Sequence, residues 1–312
     1  MNQTTFAIIG TGIVGERIIQ QLLANSNCKI ISIFDENTER LVEISNKYLL
    51  PSASTLDELF NSKPHWVYIG TPPNSHAPLA LEAAKNGCFV LSEKPLSHDV
   101  ESGKTMVECT KQANVITAMH FPLMYSPAIQ TLMSEVANHT LGDILRIELH
   151  TYFPHWPRKW QQNPWIGSRA QGGFIREVFP HYFQIMYRLF GNFSFSAHQT
   201  SYPQDQLLSE IGSSAIGQTD TGIPLVINGL CGIGQQETLQ FKVFGTKKVM
   251  IIKNWSELWV SEQDQPDIRV ELNIQPKTLW DACHDIRNGR EATLVPFEEG
   301  LIVQRWIDEL LT

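Results

Sequence analysis

Between residues 5 and 120 the hydrophobic pattern switches repeatedly between two periods, and this limits the fold more than any other feature. Short apolar, partly β-branched runs read as strands: TFAII (5–9), CKIISIF (28–34), WVYIG (66–70), FVL (89–91) and NVITAMH (114–120). Helical stretches separate them at 13–24, 38–48, 76–86 and 99–112. In the first of these, Ile13, Val14, Ile18, Ile19, Leu22 and Leu23 share one stripe. Strands alternating with helices of this length imply a parallel sheet covered on both faces, because parallel neighbours need helical crossovers. Right-handed crossovers make the sheet doubly wound, with ligands beyond the carboxyl ends of its strands.

The first strand-to-helix turn is Gly10-Thr11-Gly12-Ile13-Val14-Gly15, a G-x-G-x-x-G, and Asp35 stands twenty residues after Gly15 at the end of the second strand. Gly10 permits the tight turn, Gly12 lets a pyrophosphate approach the backbone, and Gly15 lets helix and strand pack closely. The helix N-terminus meets phosphate charge with free N–H groups and its dipole. Asp35 can accept hydrogen bonds from both ribose hydroxyls and repels a 2′-phosphate, which favours NAD, while Arg40 nearby keeps NADP open. The first domain is therefore expected to bind a dinucleotide.

Two further strand ends reach the same edge, Gly70-Thr71-Pro72-Pro73-Asn74-Ser75-His76 and Ser92-Glu93-Lys94-Pro95. With the glycine turn, this TPPNSH loop and EKP motif resemble the Gfo/Idh/MocA oxidoreductases (glucose-fructose oxidoreductase, inositol dehydrogenase and relatives). The likeness is close over residues 5–120 and partial over 142–190. It implies a Rossmann first domain in which Lys94 stands beside nicotinamide and substrate. It also implies that Ile13, Val14, Thr71, Pro72, Asn74, His76 and Glu93 line the cofactor with Gly10, Gly12, Gly15 and Asp35. Burial at a cofactor edge favours the neutral form of an amine, which suits proton exchange near neutrality. The competing reading of Lys94 is a side chain snorkelling to solvent. For His76 it is a helix cap or a surface position.

After residue 120 the rhythm changes. GDILRIELHTYF (142–153) reads as a long strand, and from 193 onward FSFSAHQT, SSAIGQT, PLVINGL, TLQFKVFGT, KVMIIKN, ELWVSE and IRVELNI follow through short turns. The expected architecture is α/β: a doubly wound domain over residues 1–121, then an α/β domain over 122–312 with a large open, mainly antiparallel sheet. A last helix near 297–311, striped with Leu301, Ile302, Trp306, Ile307, Leu310 and Leu311, is able to dock back on the first domain.

Within GGFIREVFPHYFQIMYRLFG (172–191) the resemblance maps an acid and a histidine to Glu177 and His181, with Gln184 where another acid is common in the family. On one regular helix these three share a face, opposite Val178, Tyr182, Ile185 and Leu189. Histidine exchanges protons near neutral pH, and Glu177 would orient it. Pro180 argues for a helix starting there, which would separate the pair. Near 118–128, where relatives carry Asn or Arg, this chain offers His120 and apolar residues. His120, Trp160, Trp165 and Arg169 are the expected substrate contacts, the tryptophans because rings stack on sugar faces. Packing of an irregular loop, or a dimer contact, is the equal alternative.

Composition narrows the partners. The 312 residues carry a formal charge of −8, which argues against a nucleic-acid partner, since phosphate binding needs a clustered basic surface. Five widely spaced cysteines without C-x-x-C, and no H-E-x-x-H, suggest reduced thiols in a cytoplasmic protein without metal. MNQTTFAIIG lacks the basic stretch and long apolar run of a signal peptide, and no run reaches the roughly 20 residues of a membrane span. The expectation is an NAD(P)-dependent oxidoreductase moving a hydride to or from a hydroxyl or carbonyl carbon of a sugar, cyclitol or related small molecule, as a homodimer or homotetramer. The alternatives are an imine reductase of the same family and a non-catalytic NAD(H)-binding regulator.

Overall fold

The computed structural model describes residues 3–161 and 163–312. The chain divides into two compact units, one running to residue 120 and including 277–304, the other formed by 121–276 with 305–312.

In the first unit the elements run β1 (Thr4–Ile9), α1 (Ile13–Ala24), β2 (Cys28–Phe34), α2 (Thr38–Tyr48), α3 (Leu56–Asn61), β3 (Trp66–Ile69), α4 (His76–Lys85), β4 (Phe89–Ser92), α5 (Val100–Gln112) and β5 (Thr117–Met119). The five strands are parallel in the order β2-β1-β3-β4-β5. All four residues of β3 and five of six in β1 are buried. Burial on both faces is why these segments read as unbroken apolar runs instead of alternating ones. Side chains cap several of the crossover helices: Asn37 accepts from Arg40 N–H, Thr55 from Glu58 N–H and Asp99 from Ser102 N–H. Strand order reverses between β1 and β3, so the ligand crevice of a doubly wound sheet lies at their carboxyl ends, at Gly10 and Gly70.

The second unit opens with α6 (Pro127–Ala137), β6 (Ile144–Phe153), α7 (Phe174–Glu177) and α8 (Phe179–Phe190). The strands β7 (Phe193–Ser201), β8 (Gly212–Thr219), β9 (Pro224–Cys231), β10 (Thr238–Gly245), β11 (Lys248–Lys253), β12 (Glu257–Glu262) and β13 (Ile268–Arg269) follow. The eight strands form one sheet, β13-β12-β11-β10-β6-β9-β8-β7, antiparallel except where β6 meets β9. Along β6, Ile147, Leu149, Thr151 and Phe153 are buried while Glu148, His150 and Tyr152 face outward. This alternation marks a sheet with one covered face. The covering layer includes α7 and α8: a Cβ on Gly229 of β9 would meet the rings of Phe174 at 2.4 Å and Phe179 at 2.9 Å. Glycine is required there because rings fill the space a side chain would need.

IRVELNI (268–274) does not form a full strand: Ile268 and Arg269 pair with β12, and Val270 adds one backbone bond to Leu258. The segment lies at the sheet edge, and Ile268 and Ile274 stay exposed, so its alternating pattern has no surface to bury against.

The chain then returns to the first unit through α9 (Leu279–Arg287), opened by a capping box between Thr278 and Asp281. Trp280 packs edge-on to Phe6 at 5.9 Å, and His284 Nδ1 lies 2.9 Å from Thr4 Oγ1. The early turns of α10 (Phe297–Leu311) stay with this unit, and its residues from 305 belong to the second. The apolar stripe near 297–311 pointed to such a return for the last helix, whereas nothing in the strand–helix rhythm marked α9. Among the described residues no helix is long and apolar enough to cross a membrane.

Candidate functional site

The glycine turn carries three different constraints. Gly10 has φ +93°, and a Cβ there would sit 2.7 Å from the Gly70 carbonyl oxygen. A Cβ on Gly15 would approach Gly10 O to 2.0 Å, so the first turn of α1 rests directly on the loop. Gly12 meets nothing within 4 Å: open space lies over the helix N-terminus, and a side chain would fill it. Gly12 is the N-cap residue of α1 and no side chain caps this end, which leaves its first N–H groups for an external acceptor. Ile13 and Val14 are 37% and 38% exposed at the same place. A pyrophosphate fits this arrangement.

Asp35 is already partly committed. Its Oδ2 accepts from Thr11 N–H at 2.6 Å and from the Thr11 hydroxyl at 2.9 Å, and its Oδ1 from Asn37 N–H at 2.9 Å. A carboxylate offers about four lone-pair directions, so one remains for a ribose hydroxyl unless the threonine hydroxyl swings away.

At the end of β3, Thr71 is half-buried, and Pro72 and Asn74 are exposed. His76 is fully buried, which excludes a surface position. Its Nε2 lies 2.8 Å from Thr71 O, and its Nδ1 lies 3.0 Å from Pro95 O and 3.3 Å from Leu96 O. The ring therefore staples the loop after β3 to the loop after β4. Burial pushes its pKa down, while the facing carbonyls and the Glu93 carboxylate pull the other way.

Glu93 and Lys94 follow β4 directly. Glu93 is buried, with Oε1 accepting from the Tyr68 hydroxyl at 2.7 Å and lying 2.6 Å from His120 Nδ1. Its Oε2 accepts the Lys94 backbone N–H at 3.3 Å. Burial alone would raise its pKa, but His120, Lys94 and Tyr68 outweigh it and hold the carboxyl down to about 2. The buried Tyr68 and the imidazole of His120, which stacks on Trp280 with centroids 6.1 Å apart, are fixed in turn. Lys94 is half-buried and its peptide bond to Pro95 is cis. The sequence pointed to His120 as a substrate contact and to Glu93 as a cofactor contact; the structure joins them to each other beneath Lys94. Tyr68 was missed. A polar tip in the buried run WVYIG was its signal, since a buried tyrosine needs a partner.

In the second unit, the single regular helix through 174–190 is not formed. The chain breaks at Val178 (φ −117°, ψ −49°): α7 ends at Glu177, and α8 starts at Phe179 with Pro180 in its first turn. Proline has no N–H to give to an earlier turn and is tolerated at a helix start, so the break falls before it. Glu177 and His181 consequently belong to different helices. His181 and Gln184 are buried, as is every residue from Phe179 to Met186, so α8 has no solvent-facing side along this stretch. Rings flank His181: Phe121 at 6.0 Å and Trp255 at 5.6 Å, both edge-on. Trp255 sits in the β11–β12 turn at φ +75°, unusual for a bulky residue, and no feature of the sequence marked it. Arg158 braces that ring at 5.3 Å, lies over Phe153 and Trp156, and pairs with Glu237 at 3.2 Å.

The remaining expected contacts are dispersed. Trp160 is 45% exposed and Trp165 half-buried. Arg169 lies 3.7 Å over the Tyr202 ring and donates to Gln206 Oε1 at 3.0 Å, tying two loops together. Among the described residues no cluster of three or more His, Cys, Asp or Glu could hold a metal.

Comparison with known proteins identifies this arrangement. The model described as an oxidoreductase family's NAD-binding Rossmann fold matches residues 4–121, and that of the same family's C-terminal alpha/beta domain matches 134–311. Oxidoreductase P35 of Formosa agariphila is 24% identical over 201 residues, 61% of this chain and 61% of its own length. Levoglucosan dehydrogenase of Pseudarthrobacter phenanthrenivorans is 28% identical over 165 residues, 51% of this chain and 41% of its own. The matched stretches span about half the length of such relatives. Two solved structures share the fold at 18% identity and TM-score 0.83: levoglucosan dehydrogenase with NADH and levoglucosan, and the WlbA dehydrogenase of Bordetella pertussis with NADH and UDP-GlcNAcA. They cover 99% and 97% of this chain and 96% and 93% of their own. The chain belongs to the Gfo/Idh/MocA oxidoreductases, and its first domain is that family's NAD-binding Rossmann fold.

Proposed function

We propose that the chain is an NAD-dependent dehydrogenase acting on a hydroxyl-bearing carbon, or its carbonyl, in a sugar, cyclitol or similar polyol. The observation that carries this reading is the shared carboxyl edge of the parallel sheet. There the uncapped N-terminus of α1 lies under open space, and Lys94 follows an ionised, fully engaged Glu93. NAD, when bound, supplies the hydride acceptor or donor. The chain's own residues do the rest. Gly12 and the first N–H groups of α1 hold the pyrophosphate, and Asp35 takes a ribose hydroxyl. Lys94 gives or takes the substrate's hydroxyl proton at Nζ. Its backbone N–H is bonded to Glu93, so the lysine starts from a fixed base. On the second unit, His181 is the proposed proton-exchanging residue and Glu177 its proposed partner. The names of relatives such as levoglucosan dehydrogenase and D-glucoside 3-dehydrogenase support a carbohydrate substrate.

The test is a panel of sugars, cyclitols and ketones mixed with protein and NAD or NADH, followed by absorbance of the reduced nicotinamide. Turnover with a polyol or its ketone is expected. Tight NADH binding with no turnover across the panel would instead indicate a sensor of the dinucleotide.

A further inference from the structure

A cluster of charges beside the glycine turn plays no part in the chemistry above. Arg40, the residue that could have received a 2′-phosphate, is engaged through all three guanidinium nitrogens. Its Nε donates to Thr11 O at 2.9 Å, Nη1 pairs with Glu43 at 2.8 Å and Nη2 with Glu16 at 2.5 Å. The other oxygen of Glu16 accepts from Lys47 Nζ at 2.7 Å and from the Tyr48 hydroxyl at 2.8 Å. That hydroxyl in turn accepts from Gln20 at 2.8 Å. Glu16 stands in the first turn of α1, directly after Gly15, and Arg40 and Lys47 both belong to α2. The Thr11 carbonyl bound by Arg40 belongs to the residue whose N–H and hydroxyl hold Asp35. The cluster is therefore continuous with the ribose end of the dinucleotide site.

We propose that Glu16 determines cofactor choice: by occupying both Arg40 and Lys47 it withdraws the two cations a 2′-phosphate would need, and keeps the site selective for NAD. The inference rests on the dinucleotide reading of the first unit. A 2′-phosphate brings close to two negative charges at neutral pH and is bound by arginine or lysine. Here it would meet three carboxylates, Asp35, Glu16 and Glu43, against two cations that are already paired. Hydrogen bonds from Lys47, then Tyr48 and Arg40, hold the Glu16 carboxyl down to about 2, so it stays charged throughout the physiological range. Recruiting Arg40 to a phosphate would leave Glu16 Oε2 without that partner and set the Glu16 carboxylate, held only by Lys47 and Tyr48, beside the incoming charge. Discrimination thus comes from an unfavourable element as well as from the attraction of Asp35 for a hydroxyl.

The test is calorimetric titration of NADH and NADPH into the full chain and its variants, with thermal melting to verify folding. The wild type should bind NADH more tightly than NADPH. Glu16→Gln should lower the ratio of the NADPH to the NADH dissociation constant by about tenfold or more, and adding Arg40→Gln to it should reverse that gain. An unchanged ratio in folded Glu16→Gln, or a gain indifferent to Arg40, overturns the proposal. If Glu16→Gln fails to fold, Arg40→Gln alone decides: NADPH affinity should stay within about twofold, since the guanidinium is already withdrawn, and a larger loss overturns the proposal. A wild type that binds neither dinucleotide would instead remove the dinucleotide reading on which the proposal stands.

Discussion

Lys94 and His181 are fixed by opposite means. Beside Lys94 the neighbours are polar and bonded to one another: Tyr68 and His120 on one oxygen of Glu93, the lysine's own N–H on the other, and His76 stapling the adjoining loops. Beside His181 the neighbours are rings, on a helix buried all round through Met186. A hydrogen-bonded set holds its members by charge and direction, so its strength varies with protonation. A packed aromatic wall holds by volume and contact, which pH scarcely touches. The difference teaches that perturbations of the first region should appear as changes in binding and pH dependence, and those of the second as loss of stability.

The largest effect should come from the glycine turn, which lies at the same sheet edge as Lys94. Gly15→Val would drive a side chain into Gly10 O, which a Cβ alone already approaches to 2.0 Å. NADH affinity measured by calorimetry should fall at least about a hundredfold, near 3 kcal/mol. Retained affinity would break the comparison at its base.

Next is Glu93, whose pKa is lowered from 4.5 to about 2. Folding favours its ionised form, so the carboxylate contributes about 3 kcal/mol above pH 4.5, and the contribution is lost as pH falls towards 2. Urea unfolding across that window should show the wild type losing stability as pH drops, with a shallower slope for Glu93→Gln. Equal slopes would mean that the charge of Glu93 is not what holds the set together. Smaller again, Trp255→Ala should cost about 2 kcal/mol, the lost ring contacts being offset in part by a left-handed backbone that alanine tolerates slightly better. The same urea unfolding, at pH 7, checks this cost, and no loss would mean that the ring does not hold the region.

The same contrast explains what was legible in the sequence. The strands and helices of the first 120 residues were readable because burial on both sheet faces and amphipathic crossovers leave unambiguous periods, and the glycine turn because its geometry admits few other residues. Glu93 and Lys94 were legible as a motif, but not the bond from Glu93 to His120, which joins residues 27 apart in the chain. The apolar stripe of the last helix marked it as able to dock on the first domain, but nothing marked α9 or placed the change of unit within α10, because a helix that docks on a distant sheet looks like any amphipathic helix. The break at Val178 was half-visible: Pro180 marked it, while the spacing of Glu177 and His181 argued for continuity. Trp255 was invisible because a positive φ at tryptophan is imposed by packing and not by propensity.

The account turns on Lys94 as the residue that moves the proton, and Lys94→Ala tests it with two readings on one protein. Calorimetry should give an NADH dissociation constant within about threefold of wild type, while turnover of whichever polyol the wild type oxidises falls about a thousandfold. Turnover left unchanged, with the cofactor still bound, would contradict the account.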